Sequence, residues 1–188
     1  MCPQLIFAQF VDNFSNNNID NWQGNTAVFV IDFLHRLQLQ APEASDEATL
    51  WRTSTALIYG EWKTDVILDF SPSSSNCVEL LIAQDQDENG YFIRIGGSDD
   101  EVSLFKSPNG QPSKIIDGLD GCVDSSFVQL SVQVTRDSLG NWQVYASRYE
   151  SGLLLQGEVY DNTHLFPQVF GIKCVFTSSR SKKFFLTT

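Results

Sequence analysis

An all-β sandwich of antiparallel strands is the fold class this sequence predicts, and three observations predict it. The first is the stretch Leu130–Tyr145, in which Leu130, Val132 and Val134 alternate with Ser131, Gln133 and Thr135, the period-2 signature of a half-buried strand. Asp137-Ser138-Leu139-Gly140 supplies turn chemistry, and alternation resumes with Trp142 and Val144 on one face and Gln143 and Tyr145 on the other, so the stretch reads as a β-hairpin. The second is that about a dozen short apolar or alternating segments are separated by turns of Gly, Asn, Asp, Pro and Ser. The third is that no window of useful length combines helical spacing with a cap and a stop signal.

The elements follow in order. Residues 1–8, within Met1–Gln9 (MCPQLIFAQ), resemble the end of a secretory signal peptide whose front is missing, with Ile6 and Ala8 at the −3 and −1 positions and Gln9 as the first mature residue; an ordinary first strand is the other reading. A single β-sandwich domain then covers residues 9–188. Phe10–Phe14 reads as a short strand, Ser15–Asn21 as a polar loop, and Ala27–Phe33 and Leu37–Ala41 as strands, the latter stopped by Pro42. Glu43–Glu47 is an acidic loop and Ala48–Arg52 a short strand. Glu61–Phe70 is the cleanest long strand, with Trp62, Thr64, Val66, Leu68 and Phe70 on one face and Glu61, Lys63, Asp65 and Asp69 on the other. Cys77–Ala83 pairs with Tyr91–Gly97, and Glu101–Phe105 with Pro112–Asp117, around Asn89-Gly90 and Asn109-Gly110. After the central hairpin come Leu153–Tyr160, Val169–Thr177 and Lys183–Leu186.

Composition narrows the function. With 188 residues the chain suits one sizeable core. A net charge of −11 and only twelve Lys and Arg residues exclude nucleic acid as a partner, since phosphate contacts carry most of that affinity. No run approaches the ~18 apolar residues of a membrane span. Of four cysteines, Cys2 lies in the leader-like segment; Cys77, Cys122 and Cys174 have no CxxC spacing, which speaks against zinc and leaves buried thiols or one disulfide open.

Asp85-x-Asp87-x-Asn89-Gly90 matches the front half of a calcium loop. The position for the closing bidentate Glu is Gly96, so an acidic hairpin turn competes with a metal site, and calcium is the one cofactor left open. A polysaccharide hydrolase needs paired carboxylates, and concanavalin-like retaining enzymes arrange theirs as Glu-x-Asp-x-x-Glu. Glu79-Leu80-Leu81-Ile82-Ala83-Gln84 has one acid of the three, there is no GxSxG, and His35 and His164 sit in loops as solvent-facing residues. The sequence therefore argues against an enzyme. Trp62 and Trp142 fall on the apolar phase of their strands, whereas Trp22 and Trp51, near loops, remain open for stacking on sugar rings.

Val132–Tyr145 resembles the V-x-V-x-R-[DN]-x-x-G-x-W-x-[VL]-Y hairpin of laminin-G-like and concanavalin A-like lectin/glucanase domains. The ordered set Phe10-x-Asp12-Asn13-Phe14, Trp22-x-Gly24-x-Thr26, Leu37-x-Leu39-x-Ala41-Pro42, Asp69-Phe70-x-Pro72-Ser73-Ser74-Ser75-Asn76, Asn89-Gly90-Tyr91-Phe92, Lys114-Ile115-Ile116-Asp117-Gly118 and Phe170-Gly171-x-x-Cys174 is similar to the N-terminal sandwich of large secreted bacterial surface proteins that also carry lamin-tail-like domains. That resemblance implies a concanavalin A-like jelly roll, secretion or display at the cell surface, and non-catalytic binding or adhesion. Lys182–Thr188 departs from the acidic final strand usual there, and the chain stops without the further domains of the larger proteins. A fragment of a longer protein and a stand-alone relative are the two readings, and the incomplete leader-like segment favours the fragment.

Two functions are expected from different classes: a secreted carbohydrate-binding module, and a structural spacer that contacts neighbouring surface-protein domains. A glycoside hydrolase is a remote third. On the long strands, inward packing of Trp62, Val66, Leu68, Val78, Leu80 and Ile82 sends Lys63, Asp65, Glu79 and Arg94 to the opposite surface. These four, with Trp51 or Tyr91 near a rim, form the candidate glycan face. A solvated outer face shows the same alternation.

Overall fold

Strand-forming alternation and Asp-centred turns build the whole architecture. The computed structural model describes residues 11–53, 59–85, 87–148, 151–164 and 169–187. The expected cleavage after Ala8, and the start of the sandwich at Gln9 or Phe10, lie outside them. The strands are β1 (Gln23–Gly24), β2 (Phe29–Ile31), β3 (Leu37–Leu39), β4 (Asp46–Thr53), β5 (Gly60–Leu68), β6 (Cys77–Gln84) and β7 (Gly90–Gly96). They continue as β8 (Glu101–Ser107), β9 (Ser113–Ile116), β10 (Val128–Arg136), β11 (Asn141–Arg148), β12 (Leu154–Tyr160), β13 (Val169–Phe176) and β14 (Phe184–Thr187). Among the described residues the helical turns are three short 3-10 segments, Thr26–Val28, Pro108–Gly110 and Ser178–Arg180.

The strands form two seven-stranded antiparallel sheets, β1-β4-β13-β6-β7-β8-β9 and β12-β11-β10-β5-β14-β3-β2. The three hairpins read from sequence are antiparallel neighbours, β6–β7, β8–β9 and β10–β11; β2 and β3, expected only as separate strands, also pair antiparallel. Residues 11–14 are not strand, and Phe14 takes φ 54°. The acidic loop expected at Glu43–Glu47 ends early, since Asp46 and Glu47 already pair with β13.

The interior confirms the phase assignments. Val66, Leu68, Val78, Leu80 and Ile82 are buried between the sheets. Trp142 is wholly buried, with its ring centroid 4.5 Å from Tyr91 and 5.9 Å from the half-buried Trp62. Phe184 and Leu186 of β14 fill the core beside Phe70, 4.8 Å from Phe184. The final strand thus keeps its inward apolar phase although it lacks an acidic outer one.

The turn after β10 shows how one aspartate shapes a hairpin. Asp137 Oδ1 accepts from the backbone N–H groups of Leu139, Gly140 and Asn141 at 2.8–2.9 Å, and Oδ2 from Asn141 Nδ2 at 2.7 Å. Gly140 sits at φ 102°, where a side chain is strained and a Cβ would also strike Asn162. Asp32 holds the β2–β3 turn the same way, accepting from Leu34 and Arg36 N–H.

Candidate glycan-binding face

Cross-strand register decides which outward residues meet. On the outer face of the first sheet, one row runs Trp51 (β4), Gly171 (β13), Leu81 (β6), Phe92 (β7) and Phe105 (β8). The row beside it runs Thr49, Lys173, Glu79, Arg94 and Ser103. The first is apolar and aromatic; the second carries charge. A Cβ on Gly171 would come within 3.1 Å of Trp51 and Leu81 side chains, so glycine keeps the surface low between them. Trp51 stands about three strand spacings, ~14 Å, from Arg94.

Arg94 is the best-organised group on this face. Its Nε and Nη2 both donate to Glu79 Oε1, at 3.0 and 2.6 Å. Its guanidinium lies 4.5 Å from the Phe105 ring centroid, and Phe105 stacks on Phe92 at 5.2 Å and 8°. A planar cation held on an aromatic ring by a carboxylate is pre-oriented to donate to oxygen. Glu79 is only 8% exposed although it points outward. Beside the pair lies a recess of about 210 Å³, lined among others by Cys77, Glu101, Phe105 and Lys114.

Lys114 of β9 closes the recess. Its ammonium pairs with Glu101, with Asp117 at 2.6 Å and with Asp99 at 3.6 Å. Hydrogen bonds to Asp117 and Glu101 hold it above the ordinary lysine range, and the same contact holds the Asp117 carboxyl below the carboxylate range. Cys77, a free thiol, faces the recess; burial, with the Glu79 charge, pushes its pKa up to about 11. Cys122 and Cys174 are also free.

The six residues expected to share a face are divided by the fold. Trp51, Glu79 and Arg94 lie on the outer face of the first sheet. Lys63 and Asp65 belong to β5 of the second sheet, where they pair with Gln133 and Ser131 of β10. Alternation sends all of them outward, but on opposite sides of the sandwich. Tyr91 is corrected from the rim to the interior. It is 1% exposed, packs on Trp142, and donates to Asp161 Oδ1 at 2.5 Å. Burial, reinforced by that hydrogen bond, pushes its pKa up to about 12. Burial works to raise Asp161, but hydrogen bonds from Lys106, Tyr91 and Thr163 outweigh it and leave the carboxyl well below its usual range.

Trp22, open for stacking on sequence grounds, is buried between Phe14 and Phe170, its Nε1 donating to Asp12 at 2.8 Å. His35 is exposed as expected, but His164 is half-buried edge-on to Tyr91, 5.6 Å between centroids. Asp85 repeats the Asp137 device. Its Oδ1 accepts from the backbone N–H groups of Asp87 and Asn89, both at 2.9 Å, and its Oδ2 from Asn89 Nδ2 at 3.0 Å. Burial would raise the Asp85 carboxyl, yet these bonds, led by the Asn89 side chain, lower it. The Asp85-Asp87-Asn89 pattern is thereby used in shaping the turn. Among the described residues no group of three or more His, Cys, Asp and Glu side chains is gathered to hold a metal ion.

Sequence reasoning missed Glu101, Phe105, Lys114 and Lys173 as members of this face. The signal was present for Glu101 and Phe105, which alternate with Val102 and Leu104 as Glu79 does with Val78 and Leu80. Lys173 reaches it only because β13 pairs between β4 and β6.

No protein-family model matches the chain, and no curated protein sequence does. Solved structures do match. Carbohydrate-binding module CBM66 from Bacillus subtilis aligns with a TM-score of 0.62 at 14% identity, covering 90% of this chain and 92% of that one. The exoplasmic/lumenal domain of VIP36, in its Ca2+/Man-bound form, gives 0.63 at 11%, covering 88% and 79%. The carbohydrate recognition domain of Emp47p gives 0.59 at 13%, covering 93% and 88%. The fold is a concanavalin A-like jelly roll. Among the described residues no helix is long and apolar enough to cross a membrane.

Proposed function

We propose that this chain is a non-catalytic carbohydrate-binding module and that its ligand lies along the outer face of the first sheet. The observation that carries this reading is the pair of adjacent rows, an apolar one with the partly exposed rings of Trp51 and Phe105 at its two ends and a charged one centred on Glu79–Arg94, ending in a recess. Sugar rings present C–H faces that stack on aromatics and hydroxyls that pair with fixed polar groups. Such sites combine apolar walls with few oriented polar groups. Two of the matched structures are a carbohydrate-binding module and a carbohydrate recognition domain on the same architecture, which supports the reading by analogy of fold. Glu79 is engaged by Arg94, an arrangement suited to binding rather than to acid–base work. The sequence resemblance to secreted bacterial surface proteins supports a place outside the cell, with adhesion as the role.

The test is a glycan array probed with the whole chain, run with calcium and again with chelator. Binding to a defined glycan set is the expected result, and calcium dependence would assign the ion a role in it. An array without any bound glycan in either buffer would overturn the reading.

A further inference from the structure

The recess holds an acceptor that the fold leaves unused. Glu101 opens β8 and pairs with Gly96, so its side chain shares the outer face with Arg94. It is 3% exposed. Its Oε1 meets the Lys114 ammonium, while its Oε2 is buried and has no hydrogen-bond partner among the described residues. Buried polar atoms are nearly always paired, and an unpaired one at the wall of a recess calls for a partner from outside. An ionised carboxylate only accepts, so the partner must bring an O–H or N–H.

The surrounding charge selects among sugars. Glu79, Asp99 and Glu101 line the recess against Arg94 and Lys114. Both cations are already engaged by carboxylates, and the chain as a whole carries −11. A uronate or sulfate entering here meets net negative charge. A neutral sugar offers hydroxyl donors to Glu101 and hydroxyl acceptors to Arg94. At about 210 Å³ the recess is smaller than the ~300–1,000 Å³ of drug-sized pockets, a size suited to a single sugar unit.

Resting on the carbohydrate-binding reading, we infer that Glu101 Oε2 accepts a hydroxyl of one neutral sugar unit seated in this recess. Neutral glycans, rather than uronates or sulfated chains, are then the ligand class. Glu101 is a specificity-determining residue in this scheme.

The experiment uses the whole chain on an array of neutral mannose, glucose and galactose oligosaccharides beside polygalacturonate and sulfated glycans. Calorimetry on the best binder then compares Glu101→Gln, Glu101→Asp and Lys182→Ala. Neutral binding is expected to exceed anionic binding. Glu101→Gln, which replaces a carboxylate acceptor by an amide, should weaken it at least tenfold. Glu101→Asp withdraws the oxygens while keeping the charge beside Lys114, and should do the same if the Gln variant does not fold. Lys182→Ala breaks an exposed ion pair with Glu43, neither residue lining the recess, and should stay within twofold. Preference for the anionic glycans, unchanged affinity in a folded Glu101 variant, or an equal loss in Lys182→Ala would overturn this inference and leave the carbohydrate reading standing. Absence of any glycan binding would overturn both.

Discussion

The two outer faces of the sandwich carry charged residues on the same period, yet they are built differently. On the second sheet, Lys63 pairs with Glu61 at 2.8 Å, Gln133 donates to Glu61 at 2.8 Å, and Tyr145 donates to Gln143, which in turn donates to Glu158. These contacts join exposed or half-buried neighbours, Gln133, Gln143 and Tyr145 being half-buried; the Lys63 side chain is 61% exposed. On the first sheet, Glu79, Glu101 and Ser103 point outward and are nonetheless buried, because aromatics and a lysine from adjacent strands rise around them. Alternation says which side of a strand faces out. Only the neighbours decide whether that side is a solvated skin or a recess.

The interior shared by both faces sets the largest expected effect. Trp142→Ala removes a fully buried ring that touches Trp62 and Tyr91 and should cost ~3–5 kcal/mol in urea unfolding. A loss under ~1 kcal/mol would contradict the packing. Next comes a pH effect from the same cluster. Tyr91 titrates near 10 when unfolded and at about 12 when folded. An acid whose folded pKa is raised stabilises the fold below the unfolded value, and that stability is lost as pH climbs from about 10 to 12. Unfolding free energies measured across that window should fall, and less steeply in Tyr91→Phe. Equal slopes in the two proteins would remove Tyr91 from the account. The smallest effect is expected on the second sheet's face. Lys63→Ala breaks an exposed pair and should change stability by no more than ~1 kcal/mol. A larger loss would mean that this face is more than a solvated surface.

Much of the fold was legible in the residues. The Asp137 hairpin follows from a turn aspartate, a glycine and alternation on both sides, all of them local. The inward phase of Val66, Leu68, Val78 and Leu80 was equally local, because period-2 burial needs no knowledge of partners. The site was legible only in pieces. Glu79 and Arg94 sit on a sequence-adjacent hairpin, so their meeting could be foreseen. Lys63 and Asp65 were grouped with them because alternation carries no record of which sheet a strand joins; β5 pairs with β10 and β14, and β6 with β7 and β13. Tyr91 was misplaced because its hydroxyl hints at a surface, while Asp161, 70 residues on, supplies the partner that lets it be buried. Asp85, Asp87 and Asn89 show the converse difficulty: one pattern of oxygens serves a turn and a calcium loop alike.

The most direct test of the central claim sets the two faces against each other with one glycan. Isothermal titration of the best array binder against Arg94→Ala and Lys63→Ala, each checked for folding by circular dichroism, compares the first face with the second. Arg94→Ala should weaken binding at least tenfold, and Lys63→Ala should leave it within twofold. Full affinity in folded Arg94→Ala together with loss in Lys63→Ala would place the ligand on the second sheet and contradict the account.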